Sequence, residues 1–320
     1  MNIGKNNFRK EGKQMAKLII KAPKLIGEYQ NGNYATKIYE DGTRIRETEE
    51  DSFVPSFAEN CDIKITNSCS MNCEYCHEGS NSQGKHGDLV NPLYLKSFHP
   101  YQELAIGGGN VFEHPQLVTF LKSLKKQKVI TNITVNQFHF LENYELIKKL
   151  QKESLIYGIG VSITLPSKEL IGKMKAVKNV VCHVINGVLT KGVAEKLLDN
   201  NLRLLILGYK HLRRGAVYNE KHKEMIEDNQ KWLYENLEGL LKRFKLVSFD
   251  NLAIEQLNVR RLLNEKEWDE FYQGDDGTST FYIDAVNQKF AKSSTAPLDK
   301  RFDIKNLTAD EMFKKIRKEG

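Results

Sequence analysis

Two rhythms of apolar and polar residues divide this 320-residue chain. Over residues 16–48, short apolar or β-branched runs (KLIIKAPKL, NYATKIYE, TRIRE) are separated by the turn signals NGN and DGT. Asn-Gly and Asp-Gly supply the positive φ angles of tight hairpins, so this stretch predicts a small antiparallel β unit. From Cys61 the pattern changes. Compact apolar runs now alternate with stretches of helical period: CDIKIT (61–66), ELAIGG (103–108), NITVNQ (132–137), YGIGVSIT (157–164), VVCHVING (180–187) and LRLLILGY (202–209). Leu117, Val118, Leu121 and Leu124 form the apolar face of the first helix, and Leu146, Ile147 and Leu150 that of the second. Ser167 and Thr190 stand where the N-caps of two further helices belong. Six strands with intervening helices predict an α/β fold with a parallel sheet, open or partly closed as a barrel.

Beyond residue 215 the alternation is less regular. A helix is expected over 217–243, with Met225, Trp232, Leu237, Leu240 and Leu241 facing inward. A strand (KLVSFD), two short helices (NLAIEQL, EKEWDEFY), a GDDG turn at 274–277, a hairpin (TFYIDAVNQKFAKSS) and a final amphipathic helix (ADEMFKKIRKE) follow. The expected divisions are a flexible tail over 1–15, a β-hairpin extension over 16–57, a core barrel over 58–215 and a helical and hairpin extension over 216–320. The opening MNIGKNNFRKEGKQ has no apolar signal core, and Met15 is an alternative start. No apolar run is long enough to span a bilayer, so no membrane partner is expected. The net charge of +7 is spread along helical patterns, where solvated faces account for it.

The candidate chemistry lies in CSMNCEYC, which carries three of the five cysteines: Cys69, Cys73 and Cys76. An odd number clustered in one loop is no disulfide framework, and a reducing cytoplasm is the expected compartment. Cys61 and Cys182 sit in apolar strands and read as packing residues. Three thiolates are one short of a closed zinc or iron–sulfur site, and so leave one metal position open. A structural zinc completed by His77 or, with less strain, His86 is the competing reading. The cluster follows the first strand of the βα region, at the strand end where barrel active sites are built. Gly107, Gly108, Gly109 and Asn110 end the second strand, and glycines there allow close backbone approach.

The motif Cys-x3-Cys-x-aromatic-Cys, with Tyr75 as the aromatic residue, resembles the signature of the radical S-adenosylmethionine (radical SAM) superfamily. The resemblance spans roughly residues 58–215 and implies a partial (β/α)6 TIM-like barrel. It implies that Cys69, Cys73 and Cys76 ligate three irons of a 4Fe-4S cluster, with S-adenosylmethionine chelating the fourth. An electron from a donor such as flavodoxin or ferredoxin would then release a 5′-deoxyadenosyl radical that abstracts hydrogen from the substrate. By the same resemblance, Gly107, Gly108, Gly109 and Asn110 replace a Gly-Gly-Glu-like element that binds the methionine amino group. Ser162 and Thr164, with Asn136 or Asn186, would contact the ribose, and Tyr75 and the backbone at Gly208 the adenine. Candidate catalytic residues are His77 and Glu78, with Lys85 and His86 in the same polar segment. Lys210, followed by Arg213 and Arg214, is a candidate at the mouth for an anionic group, and Asp250 and Asn251 are comparable. The hairpin is similar in rhythm to the SPASM and twitch extensions of peptide-modifying members but has no cysteine, so a single cluster and a peptide or protein substrate are expected. A nucleotide, nucleobase or transfer RNA substrate is the alternative, and a non-catalytic zinc module the third reading.

Overall fold

The computed structural model describes residues 2–4 and 23–319. Asn2–Gly4 form strand β1, within the stretch expected as a flexible tail; the rest of that stretch lies outside the described residues. Strands β2 (Leu25–Asn31), β3 (Tyr34–Tyr39) and β4 (Arg44–Glu47) form the expected antiparallel unit. Its first described strand is LIGEYQN, which shares Leu25 with the expected run KLIIKAPKL. Residues 17–22 of that run lie outside the described residues.

The six strands expected from the alternation are all present: β5 (Asn60–Thr66), β6 (Glu103–Gly108), β7 (Ile130–Asn136), β8 (Gly158–Ser162), β9 (Val180–Ile185) and β10 (Arg203–Leu207). Helices α1 (Leu117–Lys126), α2 (Gln137–Glu142), α3 (Tyr144–Lys152), α4 (Lys168–Lys175) and α5 (Lys191–Leu197) fall between them. Ser167 and Thr190 cap α4 and α5 by accepting from Leu170 N–H and Val193 N–H. On α1 the buried face is Leu117, Phe120, Leu121 and Leu124, and Val118 is exposed. An i, i+3, i+4, i+7 stripe started at Leu117 passes through Phe120 and misses Val118.

The remaining chain extends this sheet. The long helix expected over 217–243 is two helices, α6 (Arg214–Lys221) and α7 (Lys223–Leu241), broken at His222. Ile226 and Leu233 take the inward positions, and Met225 is exposed. Then come β11 (Leu246–Phe249), α8 (Asn251–Gln256), α9 (Glu265–Phe271), β12 (Thr280–Asp284), β13 (Lys289–Ala291), β14 (Phe302–Asp303) and α10 (Ala309–Glu319). The sheet order is β1-β11-β10-β9-β8-β7-β6-β5-β12-β13-β14. From β11 through β12 every neighbouring pair is parallel. Among the described residues β11 and β12 are not paired with each other, so the barrel is open between them. The hairpin strand β12 is thus a strand of the main sheet, paired with β5.

Strand alternation gives this barrel a polar lumen. On β5, Cys61, Ile63 and Ile65 join the hydrophobic core, and Asp62, Lys64 and Thr66 take the other face. On β8 that face is Gly158, Gly160 and Ser162. A Cβ on Gly160 would collide with the His183 ring, so glycine here is what admits the imidazole.

The β2–β4 unit lies against the N-terminal ends of the parallel strands. Arg44 bonds Glu59 (2.7 Å), Asn60 (2.9 Å) and Glu103 (3.1 Å), at the starts of β5 and β6. Arg46 also pairs with Glu59 (2.9 Å), and the Tyr34 hydroxyl donates to it. The Tyr157 hydroxyl reaches Tyr39 O ahead of β8. Glu59 is fully buried and holds two guanidiniums at once. Glu59→Ala leaves both cations without their carboxylate, and a loss of about 3–5 kcal/mol is expected in urea unfolding; a loss below about 1 kcal/mol would contradict this role.

Candidate active site

Cys69, Cys73 and Cys76 lie in the loop after β5, at the C-terminal mouth of the strands. All three are free thiols, partly accessible. The backbone of Met71 and Asn72 favours the Cys69 thiolate and the Tyr75 hydroxyl that of Cys73, but neither offsets burial. Burial and the neighbouring thiols push the Cys69 and Cys73 thiols above their ordinary range. The polar segment 77–87 folds back along the start of the loop. Asn67 N–H donates to Lys85 O (2.8 Å), Cys69 N–H to Asn81 O (2.9 Å) and Asn81 N–H to Asn67 O (3.0 Å). His86 is bonded through Nδ1 to Thr66 Oγ1 at 2.8 Å. Lys85 and His86 are both exposed.

A buried ionic cluster fixes the far end of this loop. Glu78 meets Lys64 of β5 at 2.9 Å and Arg213 at 3.2 Å, and accepts from the Tyr282 hydroxyl at 3.2 Å. Lys64 also pairs with Asp284 of β12 (3.0 Å), which Arg301 approaches at 3.2 Å. Burial disfavours the Glu78 carboxylate, but the attraction of Lys64 and Arg213 outweighs it and holds the carboxyl down at about 2. Glu78, expected as a catalytic candidate, is the anchor of the loop. Arg213 and Arg214, expected at the mouth for an anionic group, grip the loop instead. Arg213 donates to His77 O (2.9 Å), and Arg214 to Cys73 O (2.9 Å) and Ser80 O (2.7 Å).

The glycine element at the end of β6 lies beneath the same loop. Gly109 N–H donates to Thr66 O and Asn110 N–H to Ser68 O, both at 2.7 Å. Gly108 (φ +117°) carries no Cβ because one would strike Thr66 O, and a Cβ on Gly109 would strike Ser68 O. Both are therefore required by the approach of the cysteine loop. A Cβ on Gly107 would meet nothing within 4 Å, so protein packing leaves that position open. The Asn110 side chain is engaged locally, accepting from Phe112 N–H (3.2 Å) and donating to Glu113 (3.1 Å). Glu113 also accepts from Ser68 Oγ. This carboxylate carries no signal in the glycine element because it stands four residues past Gly109; the Asn-x-x-Glu spacing from Asn110 is the signal that marks it.

Tyr75, His77, Gly208 and Lys210 line one small cleft of about 40 Å³ at the ends of β9 and β10. Thr164 favours the Tyr75 phenolate through its side chain, so the fold brings these expected residues near one another. Burial, reinforced by Lys210, lowers the His77 imidazole to about 3 and keeps it neutral. Thr164 is held by its N–H, which donates to Gln137 Oε1 at 2.8 Å. Ser162 ends β8, and Asn136, across from it on β7, caps α2 by accepting from Phe138 N–H. Asn186 is buried and donates to Gln256 at 3.0 Å. Asp250 is the N-cap of α8: its Oδ1 accepts from Gly208 N–H and Ala253 N–H, both at 2.8 Å. Lys210 donates to Ser294 Oγ (2.9 Å), and Asn251 to Asp276 (2.8 Å), so both span the open side of the barrel. The GDDG turn is thus tied to the end of β11.

Two lumen residues carry no signal in the motifs. Burial lowers the His183 imidazole to about 4, so it is neutral at pH 7. The Asp62 side chain is open to solvent in the lumen; the surrounding protein, then Asp276 and Asp250, raise it to about 6, with Lys210 opposing. The polar Asp62–Lys64 alternation opposite Cys61, Ile63 and Ile65 is the sequence trace of the lumen.

No family profile matches the chain, and no curated protein matches it. Its fold is similar to that of Streptococcus suis SuiB. Against SuiB bound to S-adenosylmethionine the TM-score is 0.53 at 13% identity, over 86% of this chain and 84% of that one. Against SuiB bound to the precursor peptide SuiA it is 0.50 at 15% identity, over 82% and 65%. A third SuiB structure gives 0.54 at 11% identity, over 89% and 86%. Identity this low establishes a shared architecture and no more.

A folded-state value above the ordinary one means that the Asp62 carboxylate is disfavoured by the fold. The penalty is absent below about pH 4, where the unfolded chain also carries the proton, and complete above about pH 6. Because solvent screens this exposed side chain, Asp62→Asn is expected to raise the melting temperature only slightly at pH 8 and to leave it unchanged at pH 3.5. An equal shift at both pH values would contradict the assignment.

Proposed function

We propose that the chain is a radical SAM enzyme that acts on a peptide. The observation that carries this reading is the three-cysteine loop at the C-terminal mouth of an open parallel barrel, on an architecture shared with SuiB. SuiB has been solved with S-adenosylmethionine and with a precursor peptide, and those two ligands are the ones assigned to this chain.

The donor set fits an iron–sulfur cluster. Three free thiols of one loop are partly accessible. Among the described residues no three His, Cys, Asp or Glu side chains converge as they would on one metal ion. A zinc ion requires such convergence, whereas a cluster receives each cysteine on a different iron. His86, the better fourth zinc ligand, is turned to Thr66. When bound, the 4Fe-4S cluster supplies the electron that cleaves S-adenosylmethionine to a 5′-deoxyadenosyl radical.

The chain's own residues then hold and enclose. Cys69, Cys73 and Cys76 take the cluster. Gly107, the open position beside the loop, admits the methionine end of S-adenosylmethionine, and Gly108, Gly109 and Asn110 support it through the backbone. Ser162 and Thr164, with Asn136, lie toward the ribose, and Tyr75 and Gly208 border the adenine. Glu78 and Asp250 act as anchors of the loop and of α8, and Lys210 and neutral His77 remain at the mouth to meet the substrate. Residues 58–215 form the catalytic core, the described part of 16–57 covers its floor, and the described part of 216–320 completes the sheet. A flavodoxin or ferredoxin and a reducing cytoplasm suit a cluster of this kind. No helix among the described residues is long and apolar enough to cross a membrane. A nucleic-acid substrate is less favoured, because Arg213 and Arg214 are bonded to loop carbonyls and Glu78.

Anaerobically reconstituted and reduced, the chain is expected to convert S-adenosylmethionine to 5′-deoxyadenosine and methionine. Cys69→Ala, Cys73→Ala and Cys76→Ala should each abolish this conversion, and Cys61→Ser and Cys182→Ser should leave iron content unchanged. Conversion retained by any one of the three alanine variants would contradict the assignment.

A further inference from the structure

The loop between β10 and α6 presents two adjacent arginines to the cysteine loop, and only one of them is neutralised. Arg213 meets Glu78 at 3.2 Å. Arg214 bridges two carbonyls, Cys73 O through Nε (2.9 Å) and Ser80 O through Nη2 (2.7 Å), and among the described residues no carboxylate lies within ion-pair distance of it. The two arginines bracket Cys76, one holding residues 73 and 80 and the other residues 77 and 78. The approach is close: Gly215 is buried, and a Cβ there would come within 2.5 Å of Lys210 O and 3.4 Å of Tyr75 O. Arg213 adopts φ +48°, a left-handed value that a non-glycine residue holds only when its surroundings over-determine it. Contacts of both side chains to the cysteine loop supply that constraint.

A three-thiolate 4Fe-4S cluster is net anionic, and reduction makes it more so. A nearby cation that is part-buried and unneutralised therefore favours the reduced form. Arg214 supplies such a charge, fixed in place by two hydrogen bonds to the ligand loop. We propose that Arg214 is a positioning residue for the cluster: it holds the Cys73 turn and raises the cluster's reduction potential. This rests on the iron–sulfur reading above.

The test is a redox titration of the reconstituted cluster, followed by electron paramagnetic resonance without S-adenosylmethionine, in wild type, Arg214→Gln and Arg214→Lys. Iron and sulfide are assayed first. The expected result is a loaded cluster in Arg214→Gln with a midpoint displaced to more negative potential, and a smaller displacement in Arg214→Lys, which keeps the charge. A loaded Arg214→Gln cluster at the wild-type potential overturns the proposal. Where Arg214→Gln does not load iron, Arg214→Lys decides: a loaded cluster close to the wild-type potential supports the charge role, and a loaded cluster at a strongly lowered potential overturns it. Failure of both variants to load also overturns it, leaving only a structural grip. Absence of iron and sulfide from the wild-type chain sinks the underlying reading as well, and is distinguished by appearing before any substitution is made.

Discussion

The amine of Lys64, buried in the barrel wall between Glu78 and Asp284, is the contact on which the mouth of this protein depends. A lysine placed there must be paired, because an isolated buried ammonium is far too costly to keep. Its two carboxylates come from different parts of the chain. Asp284 stands beside it on β12, and Glu78 belongs to the loop that carries the cysteines. One ammonium thus ties the first parallel strand, the C-terminal hairpin and the cysteine loop to a single point. Arg301 continues the network from Asp284 to Ser294 O, and Lys210 reaches Ser294 Oγ from the far side of the opening. Arg213 closes the circuit by returning to Glu78. Among the described residues β11 and β12 form no ladder, and polar and charged side chains span the place where it would be.

The two ends of the barrel are built on different physics. At the N-terminal end Glu59, Arg44 and Arg46 lock the small antiparallel sheet against the strand starts. At the C-terminal end the backbone is irregular, and side chains and carbonyls hold it. There Gly108 and Gly109 let the Thr66–Ser68 segment lie directly on the end of β6. Fixed backbone of this kind can present three thiols without using them in packing. The polar lumen below carries Asp62 and His183.

Much of the architecture was legible because parallel strands and their helices carry strong periodic signals. CDIKIT, ELAIGG and the caps Ser167 and Thr190 fall within a residue of where the pattern puts them. The misplaced details have local causes. Val118 was read as inward because it is apolar, although it lies off the stripe through Phe120. The 217–243 helix was read as continuous because nothing in its composition marks the break at His222. The cysteine loop could be found from spacing alone, but its supports could not. Lys64 and Asp284 are 220 residues apart, and only the β5–β12 pairing joins them. Glu78, Arg213 and Arg214 carry the chemistry of binding residues, and long-range geometry turns them into the clamp of the loop.

The central claim is that this clamped loop presents three thiolates to a cluster whose fourth iron is open to S-adenosylmethionine. Its most direct test is the electron paramagnetic resonance spectrum of the reduced, reconstituted chain with and without S-adenosylmethionine. The account predicts a 4Fe-4S signal whose g-values shift when S-adenosylmethionine is added, as the open iron gains a new ligand. A 4Fe-4S signal that is indifferent to S-adenosylmethionine, or a chain that binds zinc and no sulfide, would contradict it.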